Sequence, residues 1–244
     1  IESFSWQWLY EPLHDRAPEL ERFSGELRHW WRKATVHVQT EPLCWRDDSV
    51  ETLVDPISRA PRLEREQARL ELDIAPDARV VVITMGGYRE GMPFLERLQA
   101  MSDVVFIVTG ASATARYGNL MLFSSHDAIF MPNLLRAADA LVTKLGYGII
   151  AEAWSEGLPF AFVSRRDFRE MPPLEAFVRR ELLGFEIAPE DFAEGGWIDR
   201  VPELLDLPRR PRAGSGADDV ANAVSALLVS EGARTASESG IEVL

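Results

Sequence analysis

Two glycines and one acid stand at a fixed spacing in "KLGYGIIAE", residues 144 to 152. Gly146 and Gly148 follow an apolar run and open a segment with helical character. Glycine lets backbone approach a ligand closely, and the free N–H groups of a helix start favour an anion. Glu152 lies one turn along, where its carboxylate could accept hydrogen bonds from two vicinal hydroxyls, a pair that ribose offers. The bland alternative is an ordinary acid favoured by the helix dipole. A second corner, "TMGGYREG" (84 to 91), sets Gly86 and Gly87 between a strand and a helix, where a plain tight turn is the alternative. Two familiar phosphate loops fail here. A Walker A loop needs Lys then Ser or Thr after its last glycine, but Met92 and Pro93 follow Gly91. The dinucleotide fingerprint needs G-x-G-x-x-G and an acid closing the second strand, and that strand ends in "VTGAS".

The elements that position these corners alternate. "ARVVVITM" (78 to 85), "VVFIVTG" (104 to 110), "ALVT" (140 to 143) and "FAFVS" (160 to 164) read as strands, the first rich in the β-branched residues of interior parallel strands. Short strands are expected near 120 to 130. Helices are expected over 62 to 74, with Leu63, Leu70 and Ile74 as an apolar stripe, near 92 to 99, over 132 to 138 and after Gly148. "PLEAFVRREL" reads as another helix, with Gly184 expected at C′, and a last one lies near 217 to 231. This alternation predicts an α/β fold with a doubly wound parallel sheet, whose ligands sit beyond the C-terminal strand ends.

Residues 1 to 60 differ, being rich in Trp and Pro, with one convincing strand near 34 to 38; "RDDSVETLVDPISRAP" (46 to 61) reads as a linker. Trp6, Trp8, Tyr10, Trp30, Trp31 and Trp45 suit packing better than a ligand platform. The tail from 232 to 244 is poor in apolar residues and is expected to fray.

The 244 residues are 46% hydrophobic and carry a formal net charge of −13. That balance disfavours a general nucleic-acid or anionic-membrane surface, and no apolar run is long enough to span a bilayer. A single cysteine, Cys44, rules out an internal disulfide and fits a reducing, cytoplasmic setting.

The pattern K-x-G-x-G-x-x-x-E-A-x-x-x-G-x-P-F, from Lys144 to Phe160, resembles the nucleotide-sugar signature in the C-terminal domain of GT-B glycosyltransferases of the family 28 type. "SFSW…Y" near the start, the Gly-Gly corner, "VTGAS", "HDA…P…AAD" and "RRDFREMPPL" occur in order. Together they make the chain more similar still to the glycosyltransferase-like half of plant arabinokinases. The resemblance implies a Rossmann-like GT-B donor domain over 61 to 231, preceded in 1 to 60 by a linker and a partial remnant of an N-terminal, acceptor-side domain. The start at Ile1, with no methionine, is expected to lie inside that domain. It further implies a nucleotide-sugar donor, UDP-linked by analogy. Gly86 and Gly87 would line the diphosphate side, and Gly110 and Ala111 the next strand end. Phe130 and Met131 would flank the base; Gly146, Tyr147 and Gly148 would meet the phosphates. Glu152 would hold the ribose, and Glu170 would lie in the loop that contacts the donor sugar.

The activity implied is a metal-independent, inverting transfer to an unknown acceptor by the longer protein. A GT-B-fold epimerase or nucleotide-sugar hydrolase, or a non-catalytic binding module, are alternatives. Ile149 departs from the Thr or Ser usual three residues before the ribose acid. The four histidines show no metal spacing, His126 alone lying near the expected base site, and no cofactor or metal is implied. No catalytic base is identified, "RRPR" (209 to 212) reads as a solvated turn, and a homodimer stays open.

Overall fold

Arg79–Thr84 explains the architecture. Its valines and isoleucine are fully buried on both faces of a sheet, as a central parallel strand requires. The computed structural model describes residues 1–47, 50, 52–86, 93–165, 167–212 and 214–238, with side chains to 229. The chain divides into two units, Ile1–Ile57 with Gly214 onward, and Ser58–Ala213.

In the first unit, α1 (Trp6–Tyr10) and α2 (Glu19–Trp31) precede β1 (Val38–Thr40) and β2 (Thr52–Val54). The stretch expected to be a linker therefore contains a strand, paired in parallel with β1 through Val38 and Thr52. Val50 and Val54 are buried, which the surrounding acids concealed. Trp31 packs against both His37 and Trp45, whereas Trp6 and Trp30 are exposed.

The second unit runs through α3 (Arg65–Glu71), β3 (Arg79–Thr84), α4 (Leu95–Ala100), β4 (Val104–Ala111), β5 (Ala115–Tyr117), β6 (Leu120–Ser124), α5 (Met131–Ala137), β7 (Ala140–Lys144) and α6 (Tyr147–Glu156). It continues through β8 (Phe160–Val163), α7 (Met171–Glu181), β9 (Gly184–Ile187), α8 (Pro189–Glu194) and α9 (Val201–Leu205). The last helix, α10 (Gly216–Glu238), belongs to the first unit, where Val220 packs with Val38 and Val54.

Among the described residues the sheet order is β5-β6-β4-β3-β7-β8-β9, parallel except for β5. Alternate residues feed two cores. Val80, Val82, Leu141, Phe160 and Phe162 face one; Val81, Ile83, Val142, Ala161 and Val163 face the other. The doubly wound expectation holds. The strand order reverses between β3 and β7, so their C-terminal ends bound the crevice where such sheets take ligands.

Two details differ from the sequence reading. Leu70 is exposed, because α3 buries Ala68 and Arg69 instead. Gly184 is the first residue of β9, not a helix C′; a Cβ there would stand 2.0 Å from the carbonyl oxygen of Phe160 on the neighbouring strand.

Candidate functional site

Both glycine corners lie on the reversal of strand order. β3 ends at Thr84, and Met85 and Gly86 follow; β7 ends at Lys144, and Leu145 and Gly146 follow. Gly86 has φ +51°, which favours glycine, and a Cβ on it would lie 3.4 Å from Cε of Lys144. Gly87 lies outside the described residues.

Gly146 is the N-cap of α6, with extended backbone open to any residue and no side-chain cap. A Cβ on Gly148 would meet nothing within 4 Å, and one on Gly146 only a methyl of Ile149 at 4.0 Å. Packing within the chain thus demands glycine at neither position. The contrast is Gly157, which ends α6 at φ +60°; a Cβ there would stand 2.0 Å from the Arg210 backbone. Tyr147 and Ile149 pack partly against the core.

Lys144 is half-buried. Desolvation first, and the nearby Arg165 charge second, lower its pKa from the ordinary lysine value. The Nε of Arg165 is buried and has no hydrogen-bond partner among the described residues. Two cations therefore stand together beside the glycine corners. Lys144 sits inside the recognised motif but was not among the expected contacts; Arg165 lies in "RRDF".

Gly110 and Ala111 end β4, next to β3. Gly110 has φ +87° at a register shift, with nothing within 4 Å of a Cβ. Phe130 is the N-cap of α5 and Met131 its first residue, both half-buried. Glu170 is the N-cap of α7, in the loop after β8, and its side chain makes no capping bond. β4, β3, β7 and β8 are successive parallel strands of one sheet, so Gly110, Ala111, Gly146, Gly148 and Glu170 all follow the same sheet edge. His126 is exposed beyond β6.

Glu152 is 5% exposed. Arg59 donates to its Oε1 from Nε at 2.8 Å, and Nη2 lies 2.7 Å from the same oxygen. Burial pushes the Glu152 pKa up, and the Arg59 hydrogen bond and charge draw it partway back. Arg59 also lies 5.3 Å from the Phe130 ring centroid, and Arg62 covers that ring at 4.0 Å. The segment assigned to a linker thus contributes Arg59, and Arg62 follows directly after it; composition alone gave no signal for either contact.

"RRPR" is a solvated turn only in part: Arg210, Pro211 and Arg212 are exposed, while Arg209 is not. Arg209 is largely buried and bonds Glu156 at 2.8 Å, together with the carbonyls of Arg136 and Ala138. Arg212 bonds Glu181 and covers the Trp154 ring. The helix ends supply carbonyls that the sequence did not show to be nearby.

Among the described residues no cluster of His, Cys, Asp and Glu could hold a metal ion. No described helix is long and apolar enough to cross a membrane.

No established family profile matches the chain. It is 30% identical over 157 residues to the L-arabinokinase of Arabidopsis thaliana, a match covering 64% of this chain and 15% of that protein. Among solved structures it is similar to CalG4, the calicheamicin glycosyltransferase, with a TM-score of 0.52 and 19% identity over 81% of this chain and 51% of the other. SnogD, a glycosyltransferase from Streptomyces nogalater, aligns with a TM-score of 0.47 and 15% identity over 84% of this chain and 61% of the other. The chain therefore spans a small part of the kinase and about half of CalG4. The mostly parallel, Rossmann-like sheet of its second unit resembles that of a GT-B donor domain.

Proposed function

We propose that the chain is the nucleotide-sugar-binding part of a glycosyltransferase-like protein, taking a UDP-type donor at the C-terminal edge of β3, β7 and β8. One observation carries this reading. Gly146 and Gly148 open α6 at the reversal of strand order, and the space beyond Gly148 is empty although nothing in the chain demands glycine there. A diphosphate would give those glycines a reason, through close approach to first-turn N–H groups.

In this reading Gly86, Gly87, Tyr147 and the two α6 glycines surround the diphosphate, with Gly110 and Ala111 at the adjoining strand end. Phe130 and Met131 flank the base, Glu152 accepts from the ribose hydroxyls, and Glu170 faces the sugar. Lys144 and Arg165 add cationic charge. Transfer would invert the anomeric carbon. The acceptor oxygen attacks from the face opposite the diphosphate, which leaves with the bonding electron pair while the acceptor gives up its proton. Backbone amides and Lys144 would stabilise the negative charge gathering on the leaving oxygen, strongest in the transition state. That chemistry is assigned to the longer protein, together with its acceptor.

The test is calorimetry with uridine, UDP and a panel of UDP-sugars, with magnesium and with a chelator. UDP is expected to bind more tightly than uridine under both conditions. Equal affinity of the two would remove the phosphates from the glycine corners.

A further inference from the structure

Both groups assigned to the nucleoside are already engaged by the chain itself. Arg62 lies 4.0 Å from the centroid of Phe130, on the ring that would carry the base. Arg59 points two nitrogens at Oε1 of Glu152, the acid that would read the ribose. The segment is tied down at its far end, where the Arg62 N–H donates to Oδ1 of Asn133, on α5, at 2.8 Å.

We infer that residues 58 to 62 are a built-in occupant of the nucleoside site, and that Arg59 makes its displacement depend on the charge of the incoming ligand. This rests on the nucleotide reading of Phe130 and Glu152 given above. A carboxylate as buried as Glu152 is costly to ionise unless a cation or several donors compensate it. In this structure Arg59 compensates it. Ribose hydroxyls can replace the N–H donors but bring no charge. A neutral nucleoside therefore separates an ion pair and leaves the buried carboxylate without a counter-charge. A nucleoside diphosphate brings an anion to a site where a guanidinium has just been released, and so offsets the separation.

The side chains permit the exchange. Arg59 is 61% exposed, so its guanidinium can leave Glu152 without opening a core. Arg69 shows the opposite design, buried and fixed by backbone carbonyls and by the Asp139 carboxylate. The stack of Arg62 on Phe130 carries no such charge logic and opposes every base equally.

Uridine and UDP are titrated into the wild-type chain and into Arg59→Ala, Arg59→Lys and Arg62→Ala, with melting curves to show that each variant is folded. Arg59→Ala should gain uridine affinity by roughly threefold to fivefold, the scale of a half-exposed ion pair. Its preference for UDP over uridine should narrow accordingly. Arg59→Lys should keep the wild-type preference, and Arg62→Ala should strengthen both ligands alike. An unchanged UDP-to-uridine ratio in Arg59→Ala would overturn the proposal, and so would an equal loss of both ligands, which would make Arg59 a contact and not a competitor. Failure of the wild type and all variants to bind either ligand would instead sink the nucleotide reading, and this inference with it.

Discussion

Gly86 and Lys144 face one another across the reversal of strand order: a Cβ on Gly86 would stand 3.4 Å from Cε and 3.8 Å from Nζ of Lys144. The glycine leaves the lysine room, and the lysine carries charge to the corner between β3 and β7. Replacing Lys144 by Met keeps the stem and removes the charge. UDP binding should then weaken by about 1.5–3 kcal/mol, the scale of a hydrogen bond to a charged group, while uridine should be almost unaffected. A uridine loss as large as the UDP loss would place Lys144 away from the phosphates.

The same lysine predicts a pH dependence of stability. Its pKa is lowered in the folded chain, so the unfolded chain binds more protons over the interval just below the ordinary lysine value of 10.5. Stability from this group therefore rises as pH climbs through the lowered pKa towards 10.5. Its charge is a cost that is fully present at neutral pH. Urea melts of wild type and Lys144→Met should converge as pH rises, and a constant gap from pH 7 to 10 would show that the lysine is not desolvated.

The glycines separate into two kinds, and substitution should separate them too. Gly148→Ala places a methyl in open space within a helix, so stability should rise by about 0.5–1 kcal/mol. UDP affinity should fall, because that methyl fills the approach to the first turn. Gly157→Ala drives a Cβ to 2.0 Å from Arg210 backbone at φ +60° and should destabilise by more than about 1 kcal/mol. If Gly148→Ala binds UDP as the wild type does, its glycine needs another explanation.

Glu152 should act on both binding and pH. Its pKa is raised, chiefly by burial, so the folded chain holds its proton more tightly than the unfolded chain does. Stability from this group is therefore highest in acid and falls as pH rises from the ordinary value of 4.5 to the raised one. Glu152→Ala, which removes the acceptor oxygens, should abolish that slope and weaken UDP binding by about 1.5–3 kcal/mol. A 2′,3′-dideoxy ligand should lose affinity against wild type yet match UDP against the variant. Equal losses against both proteins would take the ribose away from Glu152.

The sheet was legible because its strands are apolar runs with little ambiguity. Val80 to Ile83 and Ala140 to Val142 announce interior strands, and the glycines after them announce the corners. β2 was not legible, since three residues among acids and prolines carry no periodicity. Arginine was the residue type read least well. Arg209 read as solvated charge, and Arg59 and Arg69 were not singled out, yet each is held by a carboxylate, or by carbonyls as well, distant in sequence. Charge in a sequence reports the residue; burial is decided by which helix ends the fold brings beside it.

Arg69 supports the final prediction. It is 3% exposed, and its Nε donates to Ala137, its Nη1 to Pro76 and Ala78, and its Nη2 to Oδ2 of Asp139 at 2.9 Å. The same Asp139 oxygen accepts the Val80 N–H at 2.8 Å, so one carboxylate ties α3 to the start of β3. Arg65 holds its other oxygen. Asp139→Asn removes the charge and leaves a buried guanidinium facing only dipoles, which should cost about 3–5 kcal/mol. The exposed pair Arg200–Glu203 is the control: Glu203→Gln should change stability little, and any effect should fade with salt. The Asp139 loss should persist in salt, because solvent ions do not reach Arg69. Denaturant melts at low and high salt distinguish the two. A loss under about 1 kcal/mol would mean that the carbonyls alone hold Arg69, and the carboxylate would then be dispensable to the junction of α3 and β3.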